Sequence, residues 1–130
     1  MAGTIAADTL THSTAGSIAT NFVVEGSCKS WVNFNGTGTI ASRDSFNVSG
    51  LVDNTDGDYD VNFTSAMNNG NYSTGGNSAD TSTISQHFIV GSDRSTTDVR
   101  TRPLYPANTS GAGTVADASD ICLQVFGDLA

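Results

Sequence analysis

From Tyr59 to Thr64 the chain reads Tyr-Asp-Val-Asn-Phe-Thr, an unbroken alternation of apolar and polar residues. That period belongs to a β-strand with one dry face and one wet face. Tyr59, Val61 and Phe63 make the dry face, and Asp58, Asp60, Asn62 and Thr64 the wet one. Just before it lies the turn-forming cluster Asp53-Asn54-Thr55-Asp56-Gly57-Asp58, and before that a second apolar run, Phe46 to Val52. Strand, turn cluster and strand predict a β-hairpin. A half-dry hairpin must cover its apolar face with something, and composition says with what. Leu occurs five times, against 17 Thr, 16 Ser, 14 Gly and 11 Asn. Such a chain is poor in helix formers and rich in strand and turn formers.

Further strand signals recur at the spacing of an antiparallel β-sandwich. Trp31 to Phe34 is one, followed by an Asn35-Gly36 tight turn and a strand from Thr37 to Ala41. Ser65 to Gly70 reads as one helical turn, Tyr72 to Gly75 as a weak strand, and Ile84 to Val90 as a stronger one. Thr96 to Arg102 is polar and suits a sheet edge, where charge deters unwanted pairing. Residues 103–119 read as a long exposed loop. Ile121 to Phe126 is almost continuously apolar, which predicts a central strand buried on both faces.

The chain's 130 residues suit one folded unit with an appendage. Residues 28–130 form the expected β-sandwich knob. Residues 1–27 read as an extended N-terminal arm whose sparse apolar residues, Ile5, Leu10, Ile18 and Phe22, need a partner; the competing reading is a frayed terminus. The opening residues lack the basic head and apolar run of a secretory signal, so synthesis and folding in a cytoplasm are expected. No run reaches the roughly 20 apolar residues of a membrane helix, so no membrane insertion is expected. Thirteen acids against five Lys and Arg give a formal charge of −8, which repels nucleic acid and favours solubility.

Little in the chain speaks of chemistry. Asp53, Asp56, Asp58 and Asp60 cluster round a glycine, but out of EF-hand register, so a turn followed by a wet strand outweighs a calcium site. His12 and His87 are isolated, and no nucleophile elbow is present. The acids sit mostly in turns, unsuited to a glycosidase pair. Neither catalytic residues nor a cofactor nor a metal is expected. Cys28 and Cys122 read as two buried thiols, with pairing left open. Trp31, Tyr59 and Tyr72 read as core aromatics, although each could stack on a sugar ring if exposed; Tyr105, between two prolines, suits either role. Arg94, Arg100, Arg102, Tyr105 and Asn108 are the candidate receptor-facing residues, on or beside the long loop.

Ser27 to Thr39, then Arg43-Asp44-Ser45-Phe46-Asn47-Val48-Ser49, then Gly57 to Thr64, Ala66-Met67 and Asn71-Tyr72 form a pattern. With Gly3 to Leu10 and Phe126 to Ala130 it resembles tail-fibre and virion-surface proteins of marine bacteriophages, of the cyanophage and pelagiphage type. The resemblance implies a non-enzymatic homotrimer on a virion surface, made in the host bacterium. With no long shaft, the chain suits a fibre tip or knob, with a host-surface glycan as possible receptor and another capsid or tail protein as partner. A capsid decoration, cement or head-fibre protein held by its arm is the alternative.

Overall fold

The computed structural model describes residues 3, 5–80, 83–105 and 113–130. Among them the elements run β1 (Thr9–His12), β2 (Gly16–Ala19), α1 (Thr20–Gly26), β3 (Cys28–Asn35), β4 (Ala41–Phe46), β5 (Val48–Thr55), β6 (Asp58–Phe63), β7 (Ser73–Asp80), β8 (Thr83–Arg94), β9 (Asp98–Tyr105), β10 (Thr114–Val115) and β11 (Asp120–Phe126). The fold is mostly β, and its strands pair antiparallel. β1 and β2 make a separate hairpin. The other nine strands form one sheet in the order β4-β3-β11-β7-β8-β9-β6-β5, with β10 added to β9.

That sheet turns over on itself. Val32 and Phe34 of β3 and Ile121, Leu123 and Val125 of β11 share one buried cluster with Tyr59, Val61 and Phe63 of β6 and Val99 of β9. The rings of Phe34 and Tyr59 meet edge-on with centroids 5.3 Å apart, although β3 and β6 are not hydrogen-bonded neighbours. An edge-to-face pair of this kind adds about 1 kcal/mol beyond its burial. The two ends of the strand path, β4 and β5, are joined directly through Asn47. Its φ of 56° lies in the left-handed region that Asn tolerates better than most residues. Its side chain clamps the corner: Nδ2 donates to the Lys29 and Ser65 carbonyls, and Oδ1 accepts from the Ser65 amide at 2.7 Å.

The hairpin expected before Thr64 is present as β5 and β6, with Leu51 opposite Val61 and Asp53 opposite Tyr59. Its turn is tighter than the cluster of aspartates implied, because Asp53 to Thr55 stay in strand and only Asp56-Gly57 reverse the chain. Gly57 has a φ of +66°, and a Cβ there would lie 2.4 Å from the Ala116 amide nitrogen. The Asp117 carboxylate accepts from the Gly57 amide at 2.8 Å and from the Tyr59 hydroxyl at 2.5 Å. This contact fastens the hairpin to the segment leading into β11.

Several expectations need correction. The run Phe46 to Val52 is split at Asn47. Thr37 to Ala41 is not a strand: the Asn35 side chain folds over the Thr37 backbone, and Gly38 takes φ +64°, so the reversal extends to residue 40. Ser65 to Gly70 forms no helical turn; Met67 is buried there and its amide bonds the Thr96 carbonyl. β9 is an inner strand between β8 and β6, not an edge. β11 is central, between β3 and β7, but buried on one face only: Ile121, Leu123 and Val125 point inward, while Gln124 and Phe126 are exposed. Residues 103–119 are less of a loop than expected, since β9 runs to Tyr105 and β10 pairs with it.

Candidate functional site

Three surfaces hold the residues singled out above. The first is residues 1–27, expected as extended chain or short hairpins, which carry a hairpin and also a helix. Leu10 faces Ile18 across β1 and β2. The His12 ring closes the turn, its Nδ1 accepting from the Thr14 and Ala15 amides. The Thr20 amide and hydroxyl then bond the Asp8 and Ala7 carbonyls, setting α1 beside the strand before β1. None of this makes a core. Ile5 is 91% exposed, Phe22 65% and Val24 62%. Ile5, Leu10, Val23 and Val24 line an open apolar cleft of about 520 Å³. Residues 1–27 are tied to β3 by Lys29, whose buried ammonium donates to the carbonyls of Val24 and Ser27 and to the Ser27 hydroxyl. A cation there satisfies the free carbonyls at the end of α1 and complements their dipole.

The second surface is the outer face of β6 and β9. Asp60 lies opposite Arg100 across the two strands, with Tyr59 opposite Thr101 beside them. Arg102 donates from Nε and Nη2 to Asp58 Oδ2 at 3.1 and 2.9 Å. Arg100 Nε donates to Asp60 Oδ1 at 3.2 Å and stands as far from Asp58 Oδ1. The hydrogen bond to Asp60 raises the Arg100 pKa, with the charge of Asp58 adding to it. Arg100 and Arg102 are therefore strand residues held by carboxylates, not free loop cations. Arg94, at the end of β8, is exposed. Tyr105 ends β9, and Asn108 lies outside the described residues. Among the described residues no three His, Cys, Asp or Glu side chains are grouped to hold a metal ion. Of the four clustered aspartates, Asp58 and Asp60 are the ones engaged by arginines.

The third surface escaped the sequence reading. Trp31, expected in the core, is on the outer face of β3, opposite Phe46 of β4 and Gln124 of β11. Gln124 in turn faces Gly75 of β7, and Phe126 lies two residues beyond it. Trp31 and Phe126 are each 36% exposed and Phe46 54%. The next rung along the same strands is polar: Asp44, Asn33, Cys122 and Asn77. Asn33 Nδ2 donates to Asp120 Oδ1 at 2.6 Å, and Arg43 Nη1 donates to both Asn33 Oδ1 and Asp120 Oδ1 at 3.2 Å. The other Arg43 nitrogen holds the Ser119 carbonyl. The alternation Trp31-Val32-Asn33-Phe34 contained the signal, since it places Trp31 opposite in facing to Val32 and Phe34.

Tyr59 and Tyr72 are core residues, as read. Burial raises the pKa of both, with the charge of Asp117 adding at Tyr59 and that of Asp98 at Tyr72, where the value is about 12. Both thiols are free and half-buried rather than fully buried. Cys28 pairs with Phe126 and Cys122 with Asn33, five positions further along β3. Five residues of strand span roughly 16 Å, too far for a disulfide within one chain. No described helix is long and apolar enough to cross a membrane. No family model, curated protein or solved structure matches this chain.

Proposed function

We propose that this chain is a non-enzymatic surface protein of a bacteriophage virion. Residues 28–130 are a β-sandwich knob of fibre-tip type, and residues 1–27 are the arm through which copies associate as a homotrimer and join another virion protein. The observation that carries this reading is the folding of residues 1–27 as a hairpin and helix with no buried residue among those described. A hairpin alone is marginal in water, and so is a helix of seven residues. Such a segment is built to be covered by something else. No charged residue lies between Asp8 and Glu25, so an otherwise strongly acidic chain meets its copies there with least repulsion.

In the adhesive form of this reading the knob contacts a host-surface glycan. A passive capsid decoration, cement or head-fibre protein is the alternative, and the same arm serves it equally. Light scattering on the purified chain tests the assembly. Three times the 13.4 kDa chain mass is expected, falling to the monomer when Phe22 and Leu10 are both replaced by Asp. A monomer at every concentration removes the trimer. Adsorption assays then separate the two roles: an adhesin blocks infection by its phage at saturating protein, and a decoration protein does not.

A further inference from the structure

We propose that the outer face of β3, β4 and β11, centred on Trp31, is a binding platform for neutral sugar rings. The proposal rests on the adhesive reading above and assigns its contact to residues other than the arginines and Tyr105. Two rungs of side chains make the platform. Phe46, Trp31 and Gln124 stand side by side on three adjacent strands, with Phe126 flanking them. At ~4.8 Å per strand they span about 10 Å, one to two pyranose rings. Gly75 continues the rung without a side chain, and nothing lies within 4 Å of where its Cβ would be, which leaves the floor open beside Gln124.

The chemistry fits a sugar better than a protein patch. The C–H face of a pyranose is weakly positive and settles on the negative face of an aromatic ring. Its hydroxyls need planar donors and acceptors at the ring's rim. Asn33 and Asp44 stand in the adjoining rung, about 7 Å along the strands, and Asp120, one rung further on, reaches Asn33, with Asn33 and Asp120 already held in place by Arg43. An amide and a carboxylate fixed before binding lose little freedom on meeting a ligand. The only cation in this network is neutralised by Asp120 at 3.2 Å, in a chain of charge −8. A uronate or phosphate polymer is therefore disfavoured relative to a neutral sugar.

Trp31 is the sole tryptophan, so its emission reports the platform directly. The test titrates the full chain with neutral oligosaccharides, namely maltohexaose, cellohexaose, mannohexaose and chitohexaose, and with polygalacturonate as the anionic arm. A saturable change in emission with at least one neutral sugar and none with polygalacturonate is expected. Trp31→Ala is expected to weaken that sugar about tenfold, measured by calorimetry, with an unchanged melting curve and an unchanged mass by light scattering. Asn33→Ala, which keeps the tryptophan, is expected to weaken it severalfold. Emission indifferent to every neutral sugar overturns the platform, and so does Trp31→Ala that splits the oligomer, since the face is then an interface between copies. If wild type and Trp31→Ala block phage adsorption equally, the platform fails while adhesion stands; if neither blocks, both fail.

Discussion

Among the described residues, twelve large apolar side chains stand exposed; residues 1–27 hold six of them, and the buried apolar cluster lies wholly within residues 28–130. Both regions contain strands, turns and local hydrogen bonds. What separates them is the distance over which their contacts close. In residues 28–130, Phe34 meets Tyr59 and Ile121 faces Phe34, so residues far apart in sequence cover one another. In residues 1–27 the strand pairing and the Thr20 bonds stay within the segment, and they organise backbone without burying its apolar side chains. If copies associate through residues 1–27 as proposed, stability and association are divided along the chain, and mutations should divide in the same way.

The largest effect is expected from Phe34→Ala, which empties the middle of the core: about 3–5 kcal/mol in denaturant unfolding. A loss under 1 kcal/mol would break the picture of a knob held by long-range packing. Next comes Arg102→Met, which removes both hydrogen bonds to Oδ2 of the nearly buried Asp58 and leaves it Arg100 alone, at about 1–3 kcal/mol. Arg94→Met, on an exposed side chain, is the control and should change nothing measurable. The two tyrosines sharpen the comparison by pH. A tyrosine whose folded pKa is raised contributes stability fully present below its unfolded value near 10 and lost as pH rises through the folded value. For Tyr72 that window runs from about 10 to about 12. Melting temperature should fall across it, and less steeply in Tyr72→Phe. The smallest effect on stability belongs to Leu10→Ser in the arm, within about 0.5 kcal/mol. Its consequence should appear instead as lost mass in light scattering.

The β5–β6 hairpin was legible because the strand period placed Tyr59, Val61 and Phe63 on the dry face, but Asp58, read as a wet-face residue, is buried beside Arg102. The central position of β11 was legible from its apolarity. The double burial was misread, since Cys122, Gln124 and Phe126 are also acceptable on an open face. Trp31 went wrong for a similar reason: size and apolarity argue for burial, and only the partners across β4 and β11 decide facing. Arg100 and Arg102 looked available because their carboxylate partners lie forty residues upstream, beyond any local pattern. The helix α1 carries no period and no cap residue of its own, since Ala19 makes no side-chain cap bond. It is held by the Thr20 bonds and by Lys29, a fastening that only three dimensions display.

One consequence of the strand order concerns how the chain comes off the ribosome. β3 is the first strand of the large sheet to emerge, yet its inner neighbour β11 follows some ninety residues later, with Ile121 landing opposite Phe34. Until then β3 and β7 each present a row of unsatisfied amides and carbonyls, the template on which another nascent chain can pair. Contacts of such long sequence separation also make folding slow. Neighbouring nascent copies are therefore exposed to one another through the whole delay. The final strand acts as the closing stitch, and chains stalled before it should be found in aggregates rather than as soluble fragments.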